Sequence, residues 1–246
     1  PPPRVRLRGV RLGPAAQSGL RVEDGATVEA LGVAIQGASL SGIVALRNAR
    51  VRLEEVIIRS TRSNGSRFGR ALELQAGSVL EGRRVVLADN RDATIILFDE
   101  GTRIELEDAR VTGTRPPGPG DPNGAALVVR GGTQADFRRV VIDDHTGLGV
   151  FITGGGRVGF EDVILRGTRT GGAASGAGGR GLSIQGGGTL TATRALVEEH
   201  AGAGLFAAAS AGGEDPAPTE MALTYVVVRD LRPAPGERIP ISGIEA

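Results

Sequence analysis

The sequence predicts an all-β fold: a single-stranded right-handed parallel β-helix (a solenoid) of about nine rungs, with three short strands per rung. One observation is a pattern of four apolar residues, Φ-x-Φ-x-x-Φ-x-Φ, that recurs nine times between Val5 and Val228. A second is the distance between successive copies, which has a minimum of 23 residues and is typical of one solenoid turn. The third is the composition, because 40 glycines and 3% aromatic residues suit tight corners around a narrow aliphatic core.

Each copy predicts two short strands, here the second and third strands of a rung, joined by a bend of two residues. The reason is that alternate side chains of a strand point to the same side. Of the 36 pattern positions, 35 are apolar and Gly82 is the exception, whereas chance would supply roughly 14. The copies are Val5-Leu7-Val10-Leu12, Val28-Ala30-Val33-Ile35, Val51-Leu53-Val56-Ile58, Leu80-Gly82-Val85-Leu87, Ile104-Leu106-Ala109-Val111, Ala135-Phe137-Val140-Ile142, Val158-Phe160-Val163-Leu165, Leu190-Ala192-Ala195-Val197 and Met221-Leu223-Val226-Val228.

Another short apolar alternation, the first strand of a rung, precedes every copy after the first. Parallel crossovers are right-handed, and stacked rungs about 4.8 Å apart make a rod about 43 Å long. The predicted first strands are Leu20-x-Val22, Ile43-x-Ala45, Leu72-x-Leu74, Ile96-x-Phe98, Leu127-x-Val129, Val150-x-Ile152, Leu182-x-Ile184 and Leu205-x-Ala207.

This rung pattern resembles the right-handed parallel β-helix (pectin lyase-like) superfamily of pectate lyases, polygalacturonases and tailspikes. The resemblance covers nearly all of residues 4–232 and implies the fold, with active sites along the first-strand sheet. The chain has neither the Gly-His-Gly nor the Arg-Ile-Lys motif of the polygalacturonases. We therefore predict one β-helix domain over residues 1–232 and a tail over residues 233–246, long enough to cap the last rung.

Composition excludes several classes of function. The net charge of +1 provides no large basic field for nucleic acid. The absence of cysteine excludes disulfides and thiolate metal sites. No apolar run reaches 18 residues, so we expect no membrane span.

The two residues of each bend form a column whose charge alternates from rung to rung. Because neighbouring rungs lie about 4.8 Å apart, each acidic pair is expected to meet an arginine pair, and we interpret the column as a structural ion-pair ladder. The pairs are Glu54-Glu55, Arg83-Arg84, Glu107-Asp108, Arg138-Arg139, Glu161-Asp162 and Thr193-Arg194.

The turn after the third strand shows the same two-rung alternation, and it places His145 and His200 at equivalent positions. Two rungs separate them by about 10 Å, too far for one zinc ion with Zn–N bonds near 2.1 Å. We expect solvated turn residues, and the alternative is a ligand-binding strip formed with the neighbouring acids.

The outward column of the first strands would carry an active site in the related enzymes. Its middle is apolar, and two interpretations stay open: the stripe is covered by the 114–124 loop or the 211–220 insertion, or it stays exposed to stack on sugars or meet another subunit. The predicted ligand-binding residues of this column are Leu97, Val128, Phe151 and Phe206. The whole column reads Arg21, Val44, Glu73, Leu97, Val128, Phe151, Ser183 and Phe206.

Glu73, Asp99 and Arg130 are the catalytic candidates beside this stripe. Paired carboxylates near an arginine can perform acid–base chemistry or bind calcium, and a surface salt bridge explains the same residues. We expect no other metal or cofactor.

Our first hypothesis is a non-enzymatic β-helix module of a larger secreted or surface protein. It would act as a structural spacer or adhesin, extracellular or at the cell surface, with a polysaccharide, a glycan or another protein as partner. The alternatives are a polysaccharide lyase or glycoside hydrolase with its site on the first-strand sheet, and a trimeric tailspike-like rod.

Overall fold

The structure is a computed structural model that describes residues 1–63, 68–118, 121, 124–171, 178–209, 218–231 and 244–245. All regular elements in these ranges are β-strands, and the described chain contains no helix long and apolar enough to cross a membrane. The first strands are β3 (Ser18–Glu23), β6 (Ser41–Leu46), β9 (Arg70–Leu74), β12 (Ala93–Leu97), β14 (Gly124–Arg130), β16 (Gly147–Thr153), β18 (Arg180–Gln185), β20 (Leu205–Ala208) and β22 (Ile244–Glu245).

The second and third strands are separate in the first four copies of the pattern and continuous in the last five. The separate strands are β1 (Arg4–Arg8), β2 (Arg11–Leu12), β4 (Thr27–Leu31), β5 (Ala34–Gln36), β7 (Arg50–Glu54), β8 (Ile57–Arg59), β10 (Val79–Arg83) and β11 (Val86–Ala88). The continuous strands are β13 (Arg103–Thr112), β15 (Gln134–Asp143), β17 (Arg157–Arg166), β19 (Thr189–Glu198) and β21 (Glu220–Arg229).

All strand pairs are parallel, and they form two sheets. The first strands make a nine-stranded sheet, and the second and third strands make a thirteen-stranded sheet. The larger sheet curls because β13 pairs with β10 through its first half and with β11 through its second half. Equivalent residues of successive copies are register partners, as Val28 is with Val51. The predicted all-β, solenoid-like arrangement of parallel strands is therefore present.

The bend between second and third strands is made by a left-handed backbone conformation. The second bend residue has φ between 52° and 62° in every copy, although non-glycine residues adopt this region uncommonly. One left-handed residue turns the chain while keeping apolar side chains inward on both sides of the bend. These residues are Gly9, Gly32, Glu55, Arg84, Asp108, Arg139, Asp162, Arg194 and Tyr225.

The inward side chains form one continuous core that includes residues of every copy. Phe137 and Phe160 stack in its centre with ring centroids 5.9 Å apart. The one departure from the apolar pattern also has a packing reason. A Cβ at Gly82 would lie 2.6 Å from Leu106 Cδ2, so the leucine of the next copy occupies that space.

The predicted register of one first strand was wrong by a residue. Ile95 and Leu97 are register partners of the inward Leu72 and Leu74, so Ile96, and not Leu97, lies in the outward column. The run Ile95-Ile96-Leu97-Phe98 is apolar throughout and offers no alternation to select a face, whereas a shift of one residue exchanges the two faces.

The predicted domain boundary at residue 232 and most of the predicted tail lie outside the described residues. The short strand β22 within that tail pairs in parallel with β20. The division into domain and cap stays a prediction.

Candidate functional site

Glu73 is the centre of a nearly buried polar cluster on the outward face of β9. Its carboxylate accepts hydrogen bonds from Ser41 Oγ at 3.0 Å and from Gln75 Nε2 at 2.6 Å. It also pairs with Arg70 at an N–O distance of 3.2 Å. Glu73 is only 8% exposed, so these three donors, rather than water, satisfy most of the hydrogen-bonding capacity of its carboxylate.

Arg70 links Glu73 to a second carboxylate that sequence reasoning missed. Its Nε lies 2.9 Å from Asp92 Oδ2, and the rings of Phe68 and Phe98 lie 4.8 and 5.7 Å from its guanidinium carbon. Placing an arginine between two acids offsets the cost of withdrawing all three charges from water. One feature of the sequence could have indicated this pairing: Arg70 is the first residue of the strand that carries Glu73.

Asp99 and Arg130 do not join this cluster. Asp99 accepts a hydrogen bond from the backbone N–H of Ala76 at 3.1 Å, and the Arg130 guanidinium lies over the Phe98 ring at 4.2 Å. The register of β12, in which Leu97 pairs with Val129, puts Phe98 beside Arg130 and moves Asp99 past the end of the strand. The three catalytic candidates therefore do not converge on one point.

Calcium was predicted as a possible ligand of these acids. Among the described residues, the structure contains no group of three or more histidine, aspartate or glutamate side chains placed to hold a metal ion.

The predicted ligand-binding stripe lies partly on the surface and partly in the core. Leu97 is fully buried in the core, while Val128, Phe151 and Phe206 face outward and are half-buried. The Phe206 ring carries the Arg180 guanidinium at 3.6 Å. The 211–220 insertion falls largely outside the described residues and the 114–124 loop falls partly outside them, so ligand binding there stays a prediction.

His145 and His200 are fully buried, and the prediction that they are solvated was wrong. The residue before each has a positive φ, 59° at both Asp144 and Glu199, and this turn points the next side chain inward. The equivalent residues of five other copies follow the same rule and form a buried turn column with the two histidines. Its members are Ala38, Thr61, Asn90, Thr114, His145, Thr168 and His200.

Hydrogen bonds tie neighbouring members of the buried turn column. Thr114 Oγ1 lies 2.8 Å from His145 Nδ1, and the Thr168 N–H donates to His200 Nδ1 at 3.4 Å. His200 Nε2 donates to the Leu165 carbonyl at 3.1 Å, which fixes a neutral tautomer. Asn90 Oδ1 accepts from the Thr61 N–H at 3.3 Å.

Burial determines the charge state of both histidines. Desolvation lowers the pKa of His145 to about 3 and the pKa of His200 to about 4. Both rings are therefore neutral near pH 7, and their burial separates them from any ligand-binding strip at the surface.

The bend ladder forms as predicted. Arg84 pairs with Glu54 at 2.6 Å and with Glu55 at 3.1 Å. Two copies further along the chain, Arg139 pairs with Asp108 at 2.6 Å. Two copies beyond that, Arg194 pairs with Glu161 and Asp162 at 2.7 and 2.6 Å. Hydrogen bonds from arginine lower the pKa of the Asp108 and Asp162 carboxyls.

An open groove of about 1090 Å³ follows the outward face of the second strands. Sequence reasoning missed it, although the outward positions of the second strands alternate in charge over several copies. Ion pairs with N–O distances from 2.8 to 3.2 Å run along its floor: Arg6–Glu29, Arg52–Glu81 and Arg103–Asp136. The lining holds six arginines and seven acids, so its charges compensate one another except for one acid.

A hollow of about 550 Å³ lies at the third turn. Asp143 on its wall pairs with Arg110 at 2.7 Å and with Arg166 at 3.6 Å. Burial raises the pKa of Asp143, but hydrogen bonds with Thr112 and Arg110 and the charges of the two arginines outweigh it and lower the pKa. Asp144 pairs with Arg115 at 2.6 Å. This wall is a salt-bridge network that holds adjacent repeats together.

Comparison with known proteins adds no assignment, because no protein-family model, no curated protein and no solved structure matches this chain. The likeness to the pectin lyase-like superfamily rests on the repeat pattern and on the parallel sheets.

Proposed function

We propose that the chain is a stiff, non-enzymatic spacer or adhesin-like module of a larger secreted or surface protein, built as a right-handed parallel β-helix of about nine rungs. The observation that carries the proposal is the unbroken pairing of equivalent residues from the first copy to the last, as in the registers of β1 with β4 and of β19 with β21. In a solenoid each repeat contacts only its neighbours. A continuous register therefore favours a rod that bends little.

Three further features support stiffness. The core is continuous along the stack, the bend ladder joins neighbouring copies on the outside, and the buried turn column joins them on the inside. Bending between copies that these contacts join, such as those of Asp108 and Arg139, would have to break all three sets together.

The environment of Glu73 disfavours the enzymatic alternative. A general acid or base needs a proton path to the substrate, and Glu73 is engaged by Ser41, Arg70 and Gln75. The lyase or hydrolase alternative would have to use Glu73 with Asp92 rather than with Asp99, because Asp92 is the carboxylate that shares Arg70 with it.

Small-angle X-ray scattering tests the shape. We expect each protein chain to be elongated and about 43 Å long, because neighbouring repeats lie about 4.8 Å apart. A compact, near-spherical monomer would contradict the proposal.

A polysaccharide panel tests the role. Products are measured by reducing-end release and by the absorbance of unsaturated sugars, and we expect none. Turnover that is lost in a Glu73→Gln/Asp92→Asn double variant, and kept in a Glu81→Gln control on the other sheet, would establish an enzyme instead. A glycan array run on the same preparations asks which partner the module binds.

A further inference from the structure

The outward face of the third strands carries an apolar stripe along the whole stack. Seven of its nine positions hold alanine, valine, isoleucine or leucine in the register of the sheet, and the other two hold Arg11 and Arg110. Ile57 and Val227 are 44% and 52% exposed. We define the third-strand stripe as Ala34, Ile57, Val86, Val141, Ile164, Leu196 and Val227.

The second strands of the same sheet show the opposite pattern. Their outward column holds charged residues over the first six copies, and these form the floor of the groove described above. Both columns lie on one sheet, so strand propensity does not explain the difference. Contiguous apolar surface of this kind marks an interaction site.

Arg110 interrupts the stripe without placing a free charge in it. Its guanidinium reaches Asp143 in the next copy, with an Nη2–Oδ2 distance of 2.7 Å. The charge therefore lies at the border of the stripe, where Asp143 stands, and the aliphatic stem crosses the stripe.

The two borders of the stripe carry opposite charges in five of the nine repeats. Each bend residue is followed five positions later by a residue at the far end of the third strand, and no such pair is like-charged in the described part of the chain. The opposite-sign pairs are Glu54 and Arg59, Arg84 and Asp89, Arg138 and Asp143, Arg139 and Asp144, Glu161 and Arg166, and Arg194 and Glu199.

We propose that a second copy of this chain packs on the third-strand stripe, in parallel, about a two-fold axis that runs along the stack. Such an axis places the bend border of each repeat opposite the far border of the same repeat in the partner. Opposite charges then meet at every repeat that carries them, and each residue of the stripe faces the same residue of the partner chain. Arg110 also faces Arg110 of the partner subunit, and Asp143 neutralises its charge.

The size of the surface agrees with a stable dimer. Nine repeats at about 4.8 Å give a length of about 43 Å, and a third strand with its borders is about 20 Å wide. The product, roughly 800 Å² per copy, is the standard size of a specific interface.

Single-cysteine variants test the orientation, because the chain contains no cysteine. We expect Ile57→Cys and Val227→Cys each to form a disulfide-linked homodimer under mild oxidation, since both residues lie on the axis at opposite ends of the stripe. Thr191→Cys, on the second-strand face, is the control and should stay uncrosslinked. Cross-linking only in a mixture of the two variants would show an antiparallel pair and overturn the proposal.

Sedimentation of the unmodified protein tests the association itself. We expect a mass twice the 25.2 kDa of one chain. An Ile164→Arg variant should sediment as a monomer, while Thr191→Arg should stay dimeric, and circular dichroism checks that both are folded. A monomeric or trimeric wild type would overturn the two-fold dimer and would leave the proposed spacer role standing.

Discussion

The bend ladder and the buried turn column follow the same two-repeat alternation, but in opposite environments. Where the bend carries acids, the turn column carries threonine, and where the bend carries arginine, the turn column carries asparagine or histidine. The bend residues are at the surface, whereas the turn residues from Thr61 to His200 are at most 2% exposed.

The difference shows how burial selects chemistry at equivalent repeat positions. Charges at the surface remain hydrated and can pair across repeats at little cost. The same charges inside would lose their hydration, so the buried column uses neutral groups that hydrogen-bond instead. The stability that the bend ladder contributes should therefore depend on salt, and the stability that the buried turn column contributes should depend on pH.

The largest expected effect is the loss of stability in acid. The folded protein holds His145 and His200 at pKa values of about 3 and 4, below their ordinary value of 6.5. The unfolded chain therefore binds more protons below pH 6.5, and stability falls as the pH decreases toward the folded values. Each histidine contributes up to about 1.4 kcal/mol per pH unit.

Urea unfolding at a series of pH values measures this dependence. Asp143, Asp144 and Arg115 act on His145 through their charges, so the comparison needs a variant that keeps them. A His145→Asn/His200→Asn double variant, which repeats the residue type of Asn90 in the same column, should lose most of the slope between pH 6.5 and about 5.5, above the range in which most carboxylates titrate. An unchanged slope would show that other groups cause the acid sensitivity.

The loss of one buried acceptor comes next in size. Asn90 Oδ1 accepts from both the N–H and the hydroxyl of Thr61. Asn90→Leu leaves the Thr61 N–H without its acceptor, and we expect a loss of about 1–3 kcal/mol in the free energy of unfolding. Thr168→Val is the matched control, because the Thr168 hydroxyl is buried and has no hydrogen-bond partner among the described residues. Denaturant melts should show the control to be neutral or slightly stabilised; equal losses would contradict the assignment.

The backbone of the bend should show a difference in sign between two adjacent glutamates. Glu55 has a φ of 55°, which glycine adopts more easily by about 1–2 kcal/mol, and Gly9 and Gly32 occupy this position in other copies. Glu54 lies in β7, where glycine costs about 0.5–1 kcal/mol. Both substitutions remove a contact with Arg84, so that loss does not distinguish them. We therefore expect a higher melting temperature for Glu55→Gly than for Glu54→Gly, and the reverse order would exclude a strained bend.

The smallest expected effect is that of the exposed ion pairs. Arg139→Gln removes the contacts to Glu107 and Asp108, and we expect a slight decrease in melting temperature at low salt. The decrease should vanish near 1 M salt, where the Debye length is about 3 Å. A deficit that persists in high salt would mean that Arg139 acts through packing.

The bend ladder could be predicted because it depends only on local alternation. Inward and outward residues alternate on both sides of Glu107 and Asp108, so the pattern assigns each residue to one face. Stacking at a fixed period then brings opposite charges together. The cluster around Glu73 could not be predicted in the same way. Its true partners, Arg70 and Asp92, depend on the register of β12, which an unbroken apolar run does not specify.

The buried histidines illustrate a different limit. His145 follows a residue with positive φ, and whether a turn residue points inward depends on that one torsion angle. A polar residue in a turn is ordinarily expected to be solvated, so the pattern gave no sign of the buried column.

By itself the sequence determined the all-β class, the inward apolar positions and the charge alternation at the bends, because a strand period of two and a recurring copy length are local properties. The tertiary structure decided which residues join Glu73, which face Leu97 takes and how deeply His145 and His200 are buried. These outcomes depend on contacts between residues from different copies and on single backbone angles, and neither is visible in a one-dimensional pattern.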